Sequence, residues 1–306
     1  MELRQLKQVL VLAETLNFHR AAEQLHMAQP PLSTSIKKLE TELGVLLFER
    51  LPSGLKLTPA GEAVLHHSRR TLFCADEIRR AAREGLSGEQ GRLRVGIVGS
   101  ASFSLMPCII RSYRREFPGV ELHIEESTTS DLLRRLDEHT LDVALVRWPV
   151  LEPSKATITL LQRERLVLAV SSDSSLARRD DLQLAQLGSE PFIIHSRTRV
   201  PTLHALTLYA FQSAGIQPPI AQEAVQVQTI LGLVEAGMGV ALLPESVCAH
   251  AGSRVVFKPL GGLSDTLLVG TAVAVLTDSV TPVARHFVEH VLRIIVPPQD
   301  SVALEG

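Results

Sequence analysis

The stretch FHRAAEQLHMAQPPLS, residues 18–33, has the pattern of two short helices joined by a tight turn. In its first part, two alanines and a leucine share one side of a helix, and such small side chains let a second helix approach closely. After a short break at residues 27–29, Pro30-Pro31 suits a helix start, because the missing N–H of proline is not needed there. The second helix runs to about Leu43. Its buried stripe, at spacings of four and three, consists of Leu32, Ile36 and Leu39.

Elements on both sides of this stretch complete a small domain. Apolar residues recur at helical spacing between Leu3 and Ala13, which predicts an amphipathic helix before it. Residues 49–58 read as two short strands around a Pro-Ser-Gly turn, the pattern of a small wing. In a helix-turn-helix the second helix places its N-terminal part in the major groove of DNA. The sequence therefore predicts a winged helix-turn-helix over residues 1–58.

The polar face of the second helix and the wing supply candidate DNA contacts. Hydroxyl and amide groups can hydrogen-bond base edges, prolines can contact thymine methyl groups, and lysine or arginine can neutralise phosphates. The predicted contacts are Gln29, Pro30, Pro31, Ser33, Thr34, Lys37, Lys38, Arg50 and Lys56. The pattern alone also fits an unrelated three-helix bundle with a solvated polar face. Charge does not decide between them, because residues 1–60 hold seven basic and six acidic side chains.

The same residues resemble the signature of LysR-type transcriptional regulators. The resemblance covers residues 18–33, continues as IKKLETELGVLLFER over residues 36–50, and ends in LTPAG over residues 57–61. It implies a regulator that binds promoter DNA, senses a small molecule in a C-terminal domain, and contacts RNA polymerase if it activates transcription. Thr34 is a departure, because relatives often carry arginine at this position. We therefore expect the recognised half-site to differ from that of close relatives.

Residues 59–90 are predicted to form a long helix and a hinge. Thr58-Pro59 provides a hydroxyl cap and a proline at the first helical position, and no proline follows before about residue 85. A narrow apolar stripe suits pairing of two helices, although it also fits a helix packed on its own domain. The stripe comprises Leu65, Leu72, Ala75, Ile78, Ala82 and Leu86. The family resemblance implies a dimerisation helix, a homodimer on a two-fold operator and a homotetramer.

Residues 91–306 alternate strands and helices, which predicts parallel α/β sheets. Two such sets follow one another, and the last strand and helix are expected to return to the first set. The predicted lobes comprise residues 91–161 with 266–306, and residues 162–265, with crossovers near Leu161 and Asp265. Two lobes of this kind resemble the periplasmic-binding-protein fold, which the family also implies. The predicted fold class is α/β, with a winged helix-turn-helix, a long linker helix and a two-lobed sensor.

A ligand site is predicted in the cleft between the lobes, where strand ends and helix starts converge. Free N–H groups at helix starts favour anions, and Arg147 at a strand end is a natural partner for a carboxylate. The candidate ligand residues are Gly99, Ser100, Thr128, Arg147, Pro201, Thr202 and Leu203. Alternatives stay open: Ser100 and Thr128 could cap the helices that follow them. Arg147 could form a salt bridge or stack on Trp148.

The sensor also resembles one branch of the family, the regulators of aromatic-compound and muconate catabolism. The matching segments are VGS at residues 98–100, RERL at residues 163–166 and VQVQ at residues 225–228. The positions that match contacts to a dicarboxylate or aromatic acid in that branch are Ser100, Thr128, Pro201 and Arg147. Leu203 falls where relatives can carry an aromatic residue, so the pocket is expected to be roomier or tuned to another acid. The resemblance implies a small carboxylate effector and no cofactor.

Composition argues against several other classes. The longest apolar runs are far shorter than the ~20 residues of a membrane span. Charged residues interrupt the N-terminus before any apolar stretch develops, which is unlike a signal peptide and predicts a cytoplasmic protein. The dispersed Cys74, Cys108 and Cys248 predict buried free thiols, and no histidine or cysteine spacing predicts a metal site.

Two other functions, a solute-binding protein and a serine hydrolase, would fit parts of the sequence. A solute-binding protein would share the sensor fold, but the helix-turn-helix and the lack of an export signal argue against it. A serine hydrolase could use Ser100 with His195, but no GxSxG elbow is present and no paired acid and base stands out. We therefore expect the protein not to be an enzyme.

Overall fold

The computed structural model describes residues 1–51, 54–84, 89–103, 105–250, 252–263 and 267–295. The chain divides into two compact units, Met1–Leu86 with Glu138–Thr140, and Ser87–Asp137 with Leu141–Gly306. Among the described residues, a helix with the length and apolar character needed to span a membrane is not found.

The first unit contains the predicted winged helix-turn-helix and a long helix. Its elements are α1 (Leu3–Thr15), α2 (Phe18–Gln24), α3 (Gln29–Leu43), β1 (Phe48–Leu51), β2 (Gly54–Leu57) and α4 (Pro59–Glu84). The wing is the antiparallel pair β1–β2, in which Glu49 lies opposite Lys56. The three short helices and the wing share one apolar core. Its buried residues are Val9, Leu12, Ala21, Ala22, Leu32, Ile36, Leu39, Leu47 and Phe48.

Local signals fix the ends of these helices. The side-chain oxygen of Asn17 accepts hydrogen bonds from the backbone N–H groups of His19 (2.9 Å) and Arg20 (3.1 Å), which starts α2. Proline occupies the first turn of α3, as the sequence predicts. Gly44 ends α3 with a φ of 70°, a left-handed conformation that glycine adopts without strain.

The second unit holds two α/β lobes. The elements of the first lobe are β3 (Gln90–Ile97), α5 (Leu105–Glu116), β4 (Gly119–Glu126), α6 (Thr129–Asp137), β5 (Val143–Trp148), β6 (Thr157–Glu164), β12 (Val269–Val275) and α9 (Pro282–Ile295). Those of the second lobe are β7 (Leu166–Ser171), β8 (Phe192–His195), α7 (Pro201–Ser213), β9 (Ile220–Ala224), α8 (Val227–Glu235), β10 (Ala241–Pro244) and β11 (Val255–Lys258). As predicted, the last strand and helix belong to the first lobe.

The sheet of the first lobe is mixed, whereas the sequence pattern predicted a parallel sheet. Its strand order is β4-β3-β5-β12-β6. β3 runs parallel to β4 and β5, but β12 is antiparallel to β5 and β6, because the chain re-enters this sheet from the other lobe. β6 pairs with β12 from Thr157, opposite Val275, to Glu164, opposite Val269. The crossover predicted near Leu161 therefore lies inside a strand, and the one near Asp265 falls outside the described residues.

The second lobe is built around β7, which pairs with β10 on one side and β11 on the other, both antiparallel. A separate parallel pair, β8–β9, ends at His195 and Ala224. The carboxyl end of β8 leads to the start of α7, and that of β9 leads to the start of α8. These ends form one wall of the cleft between the lobes.

Candidate functional sites

A small cavity lies between the two lobes, where strand ends of the first lobe meet helix starts of the second. Its volume is about 50 Å³. The lining residues are Val98, Gly99, Ser100, Ser127, Thr128, Thr129, Arg147, His195, Val200, Leu203, Val225, Gln226 and Val227. Five of the seven predicted ligand residues are thus brought together. The other two, Pro201 and Thr202, do not line the cavity; the Thr202 hydroxyl instead donates to Glu152 Oε2 at 3.5 Å.

Arg147 contributes a positive charge to the cavity wall, and this charge is paired with a carboxylate of the protein itself, that of Glu164. Its side chain donates to Glu164 Oε1 (2.5 Å), to the Gly270 carbonyl (3.1 Å) and to Ser100 Oγ. The salt-bridge alternative therefore describes this structure, and the cation over the Trp148 ring is Arg163, at 5.8 Å. Burial lowers the pKa of the Arg147 guanidinium, while the charge and hydrogen bond of Glu164 oppose that shift.

Glu164 connects the cavity wall to the second lobe. One carboxylate oxygen accepts from Arg147, and the other accepts from the backbone N–H of Ser246 at 2.8 Å. Ser246 belongs to the 3-10 helix Glu245–His250, which follows β10 in the second lobe. A buried ion pair is tolerated only when its remaining hydrogen-bonding capacity is satisfied. These contacts satisfy both oxygens of Glu164 at the point where the chain passes between lobes.

Two hydroxyl side chains of the first lobe accept hydrogen bonds from Arg147, and a third caps a helix. Ser100 lies in the 3-10 helix Gly99–Phe103, and its oxygen accepts from Arg147 rather than capping a helix. Thr128 does cap α6, since its hydroxyl oxygen accepts from the Asp131 N–H at 3.4 Å. Thr129 Oγ1 accepts from the Arg147 backbone N–H at 3.1 Å, which ties the start of α6 to the end of β5.

Gly99 occupies the place where the two lobes come closest. A Cβ atom at this position would lie 2.8 Å from Glu126 Oε1 and 3.3 Å from Gln226 Oε1. The first oxygen belongs to the first lobe and the second to the start of α8 in the second lobe. A side chain here would push one of these groups away, so glycine permits the close approach.

His195 is a cavity residue that the sequence pattern did not assign to the ligand site. It ends β8, is 2% exposed, and lines the same cavity as Arg147. Burial, followed by the charges of Arg147 and His204, lowers the pKa of His195 from 6.5 to about 3. Its position at a strand end facing the cleft was the available signal. Among the described residues no hydrogen bond joins it to Ser100.

Most of the predicted DNA contacts are exposed side chains of the first unit. Gln29 begins α3, and the side chains of Gln29, Pro30, Pro31, Thr34, Lys37, Lys38 and Lys56 are exposed, while Ser33 is half-buried. The Thr34 hydroxyl donates to the Pro30 carbonyl at 3.0 Å, so its proton is held by the helix backbone. Arg50 lies in β1, and its side chain falls outside what the structure describes.

The long helix α4 packs on its own domain near its start, and its apolar stripe becomes more exposed farther along. Leu65 packs against the core of the first unit, as a helix on its own domain would. Farther along, Leu72 and Ala75 are half-buried and Ile78 is 71% exposed. The side chain of Ala82 and all of Leu86 lie outside the described residues.

Two family descriptions match separate parts of the chain. "Bacterial regulatory helix-turn-helix protein, lysR family" matches residues 3–62, and "LysR substrate binding domain" matches residues 86–294. The chain belongs to the LysR family. It is a DNA-binding transcriptional regulator of the LysR type with an effector-binding domain, which leaves no support for a solute-binding protein without DNA function.

Similar LysR-type proteins match over nearly their full length. The transcriptional regulator AlsR of Bacillus subtilis is 34% identical over 288 residues, which cover 94% of each chain. TdfR of Cupriavidus pinatubonensis is 34% identical over 289 residues, covering 94% of this chain and 97% of its own. These relatives are transcriptional regulators rather than enzymes.

Solved structures of LysR-type regulators share the fold. Full-length CbnR complexed with its target DNA is 30% identical, with a TM-score of 0.73, and the match covers 96% of this chain and 99% of that one. Full-length BenM is 29% identical, with a TM-score of 0.58 and 96% of each chain covered. The DNA complex supports the binding of promoter DNA by this regulator.

The cysteines of this LysR-type regulator are free, but the prediction that they are buried is wrong. Cys74 and Cys108 are exposed, and Cys248 is half-buried. In α5 the buried positions Leu105, Ile109 and Tyr113 are spaced by four, which leaves Cys108 on another face. In the part of the chain that is described, no group of histidine, cysteine or acidic residues could hold a metal ion.

Proposed function

We propose that this regulator responds to a small carboxylate bound in the cavity between its lobes. The observation that carries the proposal is the meeting of Arg147, Ser100 and the start of α6 at one cavity. Arg147 reaches the cavity wall through Ser100 while it also pairs with Glu164, and the start of α6 favours an anion. Similarity to CbnR and BenM supports the aromatic-catabolism branch, and the effector we propose is an aromatic or dicarboxylic acid.

The size of the cavity sets a condition on this effector. Pockets that hold small molecules usually measure about 300–1,000 Å³, whereas this cavity measures about 50 Å³. An aromatic acid therefore requires the lobes to separate. Among the described residues, the hydrogen bonds that join the lobes across the cleft run from Thr202 to Glu152 and from Ser246 to Glu164, and these contacts would have to change.

On DNA, the proposed contacts are the exposed side chains at the start of α3 together with the wing. Two chains pair through α4, and two such dimers form a tetramer that bends the promoter. Effector binding changes the lobe arrangement and relaxes the bend, which requires different effector affinities for the two states. Where the protein activates transcription, RNA polymerase is a further partner. Its place of action is the cytoplasm, where promoter DNA lies.

The effector proposal is tested by thermal unfolding of the full-length protein with benzoate, muconate and their chlorinated forms. A ligand at 100 times its dissociation constant stabilises the folded state by about 2.7 kcal/mol. Ser100→Ala should abolish this increase in Tm. Ser102→Ala is the matched control, because Ser102 lies in the same 3-10 helix but donates to the Gly99 carbonyl and does not line the cavity. An increase that survives Ser100→Ala, or none with any acid, contradicts the proposal.

The DNA-binding proposal is tested by fluorescence anisotropy with operator and random DNA. Gln29→Ala and Ser33→Ala should each weaken operator binding by about 1–3 kcal/mol and leave random DNA nearly unaffected, because base contacts carry sequence preference. Gln212→Ala, on α7 of the sensor, is the control. Equal weakening on both DNAs would mean that α3 does not read base edges. Footprints that are identical with and without effector would argue against the change in DNA bend.

A further inference from the structure

His195 is a nearly buried side chain whose ring has no partner. It is 2% exposed, and among the described residues its ring nitrogens make no hydrogen bond. In the described structure, three polar side-chain atoms are fully buried and make no hydrogen bond: Ser68 Oγ, Ser246 Oγ and His286 Nδ1. The His195 nitrogens are not among them. His195 lines the cavity between the lobes, so this cavity accounts for their remaining accessible surface.

The surroundings of His195 keep its ring uncharged. Burial is the main cause, and the positive charge of Arg147 beside the same cavity adds to it, so the pKa of His195 is lowered to about 3. The neighbouring His204 is turned away, because its Nδ1 donates to the backbone carbonyl of His195 at 2.8 Å. A neutral imidazole offers one N–H donor and one nitrogen acceptor. It can pair with a hydroxyl or a carbonyl oxygen, but it adds no charge for a carboxylate.

Two chemically different kinds of group line the cavity. Arg147, Ser100 and the start of α6 favour a carboxylate, whereas the ring of His195 is uncharged. A water-sized group needs roughly 10–15 Å³ of cavity volume, so about 50 Å³ admits only a few such groups. In so small a cavity, a ligand that meets both kinds of group carries the matching groups close together.

We propose that His195 selects effectors that carry an uncharged hydroxyl or oxo group on the carbon next to the carboxylate. The preferred class is then 2-hydroxy and 2-oxo acids, over acids that lack this group. A ligand without it leaves the buried imidazole unpaired, and sites built to bond a hydroxyl discriminate strongly against such analogues. This inference rests on the proposed function of the cavity as a carboxylate site and names the kind of acid that it prefers.

The test uses matched acids that differ only in the 2-hydroxyl group: propionate and lactate, succinate and malate, phenylacetate and mandelate. Their dissociation constants are measured on the full-length protein by calorimetry. In the wild type, the hydroxy acid of at least one pair should bind about ten-fold more tightly or better. His195→Phe should bring that ratio near one while the plain acid keeps its affinity. His195→Gln, which retains a donor and an acceptor, should restore part of the preference.

A second measurement does not depend on any variant folding. With ¹⁵N-labelled histidine, the ring nitrogens of His195 should shift on addition of lactate and stay in place with propionate. The inference is overturned by equal affinities within every pair in the wild type, or by a preference that survives in His195→Phe. If no acid of any pair binds, the carboxylate site itself is refuted. Binding of plain and hydroxy acids alike refutes only the role of His195.

Discussion

Replacing Glu164 by glutamine should destabilise the sensor by about 3–5 kcal/mol, because it leaves the charge of Arg147 buried and uncompensated. Arg147 is 3% exposed and Glu164 is 8% exposed, so water cannot replace the lost carboxylate. Glutamine keeps the shape of the side chain and can still accept from the Ser246 N–H, so the change isolates the charge. At about 2–4 °C per kcal/mol for a unit of this size, Tm should fall by roughly 6–20 °C.

Differential scanning calorimetry of the full-length protein at neutral pH measures this change. Glu235→Gln is the matched control: the Glu235 carboxylate lies 3.8 Å from Arg254, both side chains are exposed, and such pairs contribute only about 0–1 kcal/mol. The double variant Arg147→Met/Glu164→Leu should regain most of the lost stability, since apolar residues can replace a buried ion pair. The reasoning is refuted by a loss no larger than that of the control, or by a double variant as unstable as Glu164→Gln.

Three further predictions concern other parts of the chain. Asn17→Ala should cost about 0.5–2 kcal/mol in chemical denaturation, because α2 loses the acceptor for two N–H groups; the exposed Gln24→Ala should cost less. The folded-state pKa of His195, about 3, lies below its ordinary value of 6.5, so its contribution to stability is complete above pH 6.5 and is lost as pH falls toward 3. Urea titrations should show a loss of up to about 1.4 kcal/mol per pH unit that is absent in His195→Phe, and equal slopes would contradict this. Ile78→Asp should shift the protein toward monomers in analytical ultracentrifugation, because it charges the exposed part of α4; an unchanged mass would argue against pairing through this helix.

The helix-turn-helix could be predicted from sequence because its signals are local. The proline pair, the spacing of Leu32, Ile36 and Leu39, and the small alanines of α2 each act within one helix or one turn. All of these apolar positions are buried in one core. The end of β1 and the start of β2 followed from the turn residues between them in the same way.

The sheets of the sensor were less predictable because strand direction and pairing depend on distant residues. β9 was missed because four of its five residues are exposed and no apolar alternation marks it. β6 was missed as a strand of the first lobe because its partner β12 lies more than a hundred residues away in sequence. The antiparallel direction of β12 follows from the path of the chain between lobes, which local periodicity does not record.

The cavity residues were partly predictable from the sequence. Ser100, Thr128 and Arg147 lie together at the cavity because the carboxyl ends of parallel strands meet at one edge. Side-chain direction was not predictable at the start of α7, where successive helical residues point about 100° apart and only Leu203 of the predicted three faces the cavity. The partner of Arg147 was not predictable either, since Glu164 lies on a strand whose pairing is long-range.

The contacts across the cleft contribute less energy than a full regulatory shift requires. Moving a two-state equilibrium from 1:99 to 99:1 takes about 5.5 kcal/mol of differential binding. The hydrogen bond from Ser246 N–H to the Glu164 carboxylate is charge-assisted, and such bonds contribute about 1.5–3 kcal/mol. The Thr202 bond to Glu152 is longer, at 3.5 Å, and therefore weaker. Together these two bonds therefore stay below about 5.5 kcal/mol, and the effector that we propose would have to supply the rest by binding the two lobe arrangements with different affinity.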